Sequence, residues 1–282
     1  MHYEALGENF DVNEVVLKPA LRVNTLKIKE EELVLRLRKK GVFLEKIPFL
    51  KHGYFYDAPF SLGSTPEYLF GYYYLQDPAS QFVAEVLNPQ KEVLDMCASP
   101  GSKTTYLAQL MNNQGTIVAV DNNSLRLKSL QNNLERCSVR NTITINKDAN
   151  YVSDIGKFEQ VLLDAPCSGN FCINPKYFSQ RTPEDIQKKA EAQKKLLKEA
   201  FKASTKEIVY STCSLEIQEN ELVVEWFLEN FDVELVAIKG PGDSGVVEYK
   251  GRKLHKDIKK TMRFWPHKLG TQGFFVAKFL KK

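Results

Sequence analysis

Short apolar runs alternate with amphipathic stretches through the middle of the chain. Val93–Met96, Thr116–Val120, Ile143–Ile145, Val161–Leu163 and Ile208–Tyr210 read as buried strands. Lys103–Met111, Ser124–Cys137 and Glu219–Asn230 read as helices. Thr182-Pro183-Glu184-Asp185 is a strong helix start, with the helix lasting to about Ala203. The β-α-β-α rhythm predicts an α/β fold with a doubly wound parallel sheet. Before it, the pattern predicts a small α+β unit with a strand near Leu21–Asn24, a charged helix over Lys29–Lys40, and aromatic strands around Phe43 and Tyr54–Tyr56. Asp77-Pro78 supplies an N-cap and a first-turn proline for a helix over Pro78–Leu87, so the boundary falls just before it, giving domains 1–74 and 75–282. Gly240-Pro241-Gly242-Asp243 marks a turn, followed by a basic loop and a final strand over Phe274–Leu280.

Composition narrows the class. A chain of 282 residues with 43% apolar content can bury a substantial core. No run approaches the length of a membrane span and the N-terminus has no apolar stretch, so cytoplasmic residence without a membrane partner is expected. The five cysteines are odd in number and lack a C-x-x-C pair, which disfavours a disulfide framework and a zinc site, and no metal is expected. The net charge of +4 permits a nucleic-acid partner without demanding one. Lysines from Lys188 to Lys202 stud one helix, where Glu191 and Lys195 have the spacing of an ion pair, and a second basic cluster runs from Lys250 to Arg263. Phe49, Tyr54–Tyr56, Phe60, Tyr68, Phe70 and Tyr72–Tyr74 offer rings that either stack on bases or pack as core.

Candidate chemistry gathers at strand ends. Cys167, in Asp164-Ala165-Pro166-Cys167-Ser168-Gly169, and Cys213, in Ser211-Thr212-Cys213-Ser214, each follow a predicted strand. About forty residues separate them, enough for one crossover helix and a return strand, so adjacent strand ends would bring the sulfurs together. Ligand crevices lie at the carboxyl ends of strands in such sheets. The turn Asp95-Met96-Cys97-Ala98-Ser99-Pro100-Gly101-Ser102-Lys103-Thr104 leads from a strand into a helix through small residues, as a nucleotide-type pocket does. It matches neither common phosphate loop, having one glycine where G-x-G-x-x-G needs three and Ser102 between Gly101 and Lys103. A nucleoside-bearing ligand without a pyrophosphate fits, and S-adenosylmethionine is one. Asp121, ending the second strand, serves either as a ribose acceptor or as a helix N-cap, and Asp148, after the third, would sit at an adenine edge.

The segments 95–104, 164–169 and 211–214, with Tyr74-Leu75-Gln76-Asp77-Pro78-Ala79-Ser80 and Arg263-Phe264-Trp265-Pro266-His267, together resemble the Nol1/Nop2/Sun family of RNA cytosine-5 methyltransferases. The resemblance covers most of the chain with its motifs in order. It implies a Rossmann-like methyltransferase sheet behind a small RNA-binding domain. It further implies that Cys97, Ala98, Ser99, Pro100, Gly101, Ser102 and Lys103, with Asp121, Arg126, Asp148 and Asp164, hold S-adenosylmethionine. Cys213 would be the nucleophile and Cys167 the residue that releases product. Asp164 would meet the base at its Watson-Crick edge. Similarity to compact archaeal members implies structured RNA, tRNA before rRNA, as substrate; a helper protein is left open, as is oligomeric state. Three departures stand out: Phe171 occupies a position where the family often has glycine, Cys172 is an additional thiol, read as structural, and Ser99 stands where the family commonly has alanine, a small-for-small exchange. A DNA cytosine-5 methyltransferase would use the Pro166-Cys167 thiol and leave Cys213 without a task, whereas an amino-directed enzyme would show Asp-Pro-Pro-Tyr in place of residues 164–167. A non-catalytic RNA-binding or ribosome-assembly factor remains the alternative from another class.

Overall fold

The computed structural model describes residues 3–282; Met1 and His2, which begin the expected N-terminal domain, lie outside the described residues. The chain forms two compact units, one of Lys18–Ala149 and one of Asn150–Lys282 with the segment up to Leu17.

The first unit begins with β1 (Ala20–Val23), α1 (Glu30–Lys39), β2 (Phe43–Lys46), β3 (Gly53–Asp57), the single-turn α2 (Pro66–Leu69) and β4 (Tyr73–Leu75). The four strands form an antiparallel sheet in the order β2-β3-β1-β4. Leu33 and Leu37, one turn apart on α1, pack with Leu21, Val23, Leu44 and Tyr73, and Tyr54, Tyr56, Tyr68 and Tyr72 flank this core. Most of the aromatic segment is therefore packing; Phe60 and Phe70 stay exposed.

The same unit continues through α3 (Pro78–Leu87), β5 (Glu92–Asp95), α4 (Ser102–Leu110), β6 (Thr116–Asp121), α5 (Ser124–Arg136) and β7 (Thr142–Asn146). β5, β6 and β7 are parallel neighbours in that order. Asp77 caps α3 by accepting from the Ala79 N–H, with Pro78 at the first position. Completely buried Arg22 of β1 donates from Nη1 to Gln76 Oε1 (2.8 Å) and the Ser102 carbonyl (2.9 Å), and from Nη2 to Thr105 Oγ1 (2.9 Å). Its guanidinium lies over the rings of Tyr74 and Tyr106, 5.4 and 4.5 Å from their centroids. The small sheet is thus bonded directly to the first turn of α4.

The second unit comprises β8 (Phe158–Asp164), α6 (Tyr177–Gln180), α7 (Pro183–Ala203), β9 (Ser204–Thr212), α8 (Glu221–Asn230), β10 (Val233–Val236), β11 (Asp243–Ser244), β12 (Glu248–Tyr249), β13 (Arg252–Lys253), β14 (Met262–Phe264), α9 (Pro266–Leu269) and β15 (Phe274–Lys281). β8 and β9 are parallel, with α7 as their crossover, started by a capping box between Thr182 and Asp185. β15 runs antiparallel to β9, and its other edge takes β14 along Phe274–Val276 and β10 along Lys278–Lys281. The sheet is therefore mixed on this side, where the pattern predicted parallel strands and a basic loop.

Two of the expected charge assignments change. Glu191 pairs with Lys194, three residues on, at 2.9 Å rather than with Lys195. Arg263 is not part of a basic surface: it is fully buried, forked onto Glu221, and donates to the Leu215 carbonyl (2.9 Å). No helix among the described residues is long and apolar enough to cross a membrane.

Candidate active site

The turn that joins β5 to α4 is held from both flanks. The Ala98 N–H donates to the Val120 carbonyl (2.9 Å), Asn133 Nδ2 to the Pro100 carbonyl (2.9 Å) and Arg126 Nη2 to the Ser99 carbonyl (2.5 Å). The Ser99-Pro100 peptide is cis, and Gly101 has φ +102° at the helix N-cap, where a Cβ would lie 2.7 Å from Leu130 Cδ1. Only glycine meets both demands. Thr104 Oγ1 ties the first turn of α4 back to Asp95 Oδ2 (2.8 Å). Cys97 and Ser102 are half-buried, Ala98, Ser99 and Lys103 are buried, and Pro100 is exposed. Lys103 Nζ donates to Ser80 Oγ (2.9 Å).

Asp121 ends β6 almost completely buried. It does not cap α5: Asn123 does, accepting from the Leu125 and Arg126 N–H groups. Asp121 Oδ1 accepts instead from the Asn123 N–H (2.9 Å), and Oδ2 lies 3.5 Å from Arg126 Nη1. Asp148 stands exposed shortly after β7, beyond Asn146, whose side-chain amide donates to the Asp121 carbonyl (3.0 Å).

These residues fit S-adenosylmethionine on two features. Ser99 Oγ is buried and makes no hydrogen bond among the described residues, a rare state for an interior hydroxyl and one that a ligand would relieve. The Asp121 carboxylate keeps acceptor capacity beyond its two partners, as binding a ribose diol requires. The Ser99–Lys103 turn with Asp121 would hold the nucleoside, and Arg126 sets the turn's shape by gripping the Ser99 carbonyl.

In the second unit the two sulfurs meet. Cys167 Sγ and Cys213 Sγ are 2.8 Å apart, each just past the end of its strand, β8 or β9. Asp164, the last residue of β8, accepts from Ser211 Oγ at 2.7 Å. The hydrogen bond with Cys213 pushes the Cys167 thiol well above the usual range, reinforced by burial and by the charges of Cys213 and Glu219.

The thiol loops are fixed by residues that motif reading did not find. Completely buried Glu219 accepts from the Ser168 N–H (3.0 Å) and hydroxyl, from Ser214 Oγ (2.8 Å) and from Gln193 Nε2 (2.7 Å). Gln193 also donates to the Pro166 carbonyl (3.1 Å). Asn170 Nδ2 bridges the carbonyls of Cys213 (2.7 Å) and Gly273 (3.0 Å). Phe171, at the position where glycine was expected, anchors the loop in an apolar cluster with Tyr3, Tyr177, Leu215 and Trp265, and half-buried Cys172 packs beside it. The only sequence signal for Glu219 and Gln193 was helical position, which says nothing of which side chains converge. Among the described residues, no cluster of His, Cys, Asp or Glu is arranged to hold a metal ion.

A glycine-bearing turn after the first parallel strand, polar groups and thiols at strand ends and a small leading sheet are the features of a Rossmann-like methyltransferase fold with an N-terminal domain. The chain belongs to the family described as 16S rRNA methyltransferase RsmB/F, whose model matches residues 84–280, and the model for the N-terminal domain of 16S rRNA methyltransferase RsmF matches residues 4–78. A 28S rRNA (cytosine-C(5))-methyltransferase of Mus musculus is 41% identical over 98% of this chain and 37% of its own length. Ribosomal RNA small subunit methyltransferase F of Vibrio cholerae is 36% identical over 94% of the chain and 58% of its own. The chain thus spans less than two thirds of the length of either of these two relatives. A solved methyltransferase homolog protein from Pyrococcus horikoshii is 39% identical with a TM-score of 0.87, covering 99% of this chain and 89% of that one.

Proposed function

We propose that the protein transfers a methyl group from S-adenosylmethionine to carbon 5 of cytosine in RNA, through a covalent Cys213 adduct released with the help of Cys167. The observation that carries this reading is the 2.8 Å approach of the two sulfurs. Carbon 5 of cytosine is a poor nucleophile, and thiolate addition at carbon 6 pushes electron density onto it, splitting one hard step into two. S-adenosylmethionine supplies the electrophilic methyl group when bound. Cys213 Sγ forms the bond to carbon 6. After methylation the carbon 5 proton must leave and the carbon 6–sulfur bond must break. Cys167 serves both needs: its proton passes to the departing Cys213 sulfur, and it takes up the carbon 5 proton in exchange, restoring the double bond. The Asp164 carboxyl, oriented by Ser211, meets the Watson-Crick edge of the base. A base inside a helix would be inaccessible to this chemistry, so the target is an unpaired or flipped nucleotide.

Ribosomal RNA is the substrate class this reading favours. The relatives are named for ribosomal RNA, whereas the tRNA implied by resemblance to compact archaeal members finds no support among them.

The test incubates wild type, Cys213→Ala and Cys167→Ala with tritiated S-adenosylmethionine and, separately, rRNA and tRNA. Label in 5-methylcytidine of rRNA, abolished in Cys213→Ala and converted to a gel-stable protein-RNA adduct in Cys167→Ala, is expected. Label in tRNA alone would restore the earlier substrate. Normal turnover by Cys167→Ala would end the assigned division of labour, and cofactor binding without label in either RNA would favour a non-catalytic RNA-binding factor.

A further inference from the structure

Glu219 is an expensive residue to bury. Its exposure is 0%, and among the described residues no Lys, Arg or His pairs with it. All four groups that point at its carboxylate are donors. A glutamine there would turn its own N–H groups toward donors and leave part of the cluster unpaired, so an ionised carboxylate is the side chain that satisfies the whole set. The donors come from three places. Ser168 adjoins Cys167, Ser214 adjoins Cys213, and Gln193 projects from α7, where it also holds the Pro166 carbonyl. One buried carboxylate thereby ties the loop after β8 to the loop after β9, one residue beyond each sulfur.

We propose that Glu219 is a positioning residue for methyl transfer: acting through Ser168 and Ser214, it holds the two sulfurs at bonding distance so that the Cys213 adduct can be released by Cys167. This rests on the methyl-transfer reading above. Without the clamp the loops lose their shared anchor, and an error of an ångström or so in a reacting group costs on the order of a hundredfold in rate. The charge has a second effect, because it is among the influences that push the Cys167 thiol up. The other titratable groups around this cluster are Asp164, Tyr177 and Tyr210, whose phenols burial pushes up, and Glu216, whose carboxyl burial also pushes up. Arg181 reaches the Ser168 carbonyl through Nε (3.1 Å).

Two readouts test this in the full chain. In turnover with S-adenosylmethionine and RNA, Glu219→Gln should lower kcat by about a hundredfold with KM for S-adenosylmethionine within about twofold of wild type, and protein-RNA adduct should accumulate. Separately, the pH profile of Cys167 alkylation by iodoacetamide, followed by peptide mass spectrometry, is compared between Cys213→Ala and Cys213→Ala/Glu219→Gln. Loss of the charge should move the midpoint down. A Glu219→Gln enzyme with near-wild-type kcat and no adduct, or an unmoved alkylation midpoint, overturns the proposal. Should Glu219→Gln not fold, Ser214→Ala, which removes a single donor, decides: partial adduct accumulation supports the clamp, and unchanged turnover refutes it. If wild type methylates no RNA, the function reading fails while the alkylation comparison still reports on Glu219.

Discussion

Replacing Arg263 by methionine removes a guanidinium whose Nε and Nη2 fork onto both oxygens of Glu221 and whose Nη1 holds the Leu215 carbonyl. Both side chains of the ion pair have 0% exposure. After the substitution Glu221 keeps, among the described residues, only the Val246 N–H, at 3.0 Å, as a partner. Stranding a buried charge in this way costs about 3–5 kcal/mol. At roughly 1.4 kcal/mol per factor of ten, the folding constant falls by about two to more than three orders of magnitude. Trp265 is buried beside Arg263, with the guanidinium 5.3 Å from its ring centroid, so tryptophan fluorescence during urea unfolding reads the relevant region. The double variant Arg263→Met/Glu221→Leu removes the stranded charge as well and should be more stable than Arg263→Met alone. A loss below about 1 kcal/mol in the single variant would place the pair in the class of weak surface bridges and refute the reasoning. A double variant weaker than the single one would refute it equally.

Further expectations concern the turn and a buried carboxyl. Gly101→Ala forces a side chain into a left-handed conformation at φ +102°, at a cost of about 1–2 kcal/mol, and drives its Cβ into Leu130. Calorimetric titration with S-adenosylmethionine should show affinity reduced by about tenfold or more, and unchanged binding would separate the turn from the cofactor. Burial raises the Glu216 carboxyl above its ordinary 4.5, so the folded chain binds this proton more tightly than the unfolded one. Its contribution to stability is therefore lost as pH rises from about 4.5 through the raised folded value. Glu216→Gln keeps an acceptor for Tyr177 Oη and should flatten that decline; urea midpoints across about pH 4 to 8 that fall as steeply as in wild type would contradict the assignment.

Where local chemistry set an element's limits, the sequence was readable. Asp77-Pro78 and Thr182-Pro183 each announce a helix by satisfying its first N–H groups, and α3 and α7 begin there. The crossover between the cysteine motifs was also legible, because that spacing has room for one helix and a return strand. The tail was not. β10 and β14 are four and three residues long, with Glu234 and Arg263 inside them, so neither shows a run long enough to separate strand from loop; both exist because β15 offers them an edge. Arg263 was misread for a related reason. A charged residue in a basic segment looks solvated unless its buried counter-ion, forty-two positions earlier in the chain, is known. Glu219 is silent in the sequence because its meaning lies in where three donor residues, Ser168, Gln193 and Ser214, are placed, and none of those is visible as a spacing.

The path of Arg22 bears on how such proteins can be assembled from parts. The N-terminal module reads as a separable domain in the sequence, yet its first strand places a guanidinium on Gln76, Ser102 and Thr105, and Gln109 Nε2 of α4 returns a bond to the Val23 carbonyl (2.9 Å). Grafting a foreign module in front of β5 would leave the Ser102 carbonyl, the Thr105 hydroxyl and the Gln109 amide without these partners unless the new strand supplied a matching guanidinium and carbonyl. The unit that keeps the turn between β5 and α4 in shape is the strand together with the helix it grips.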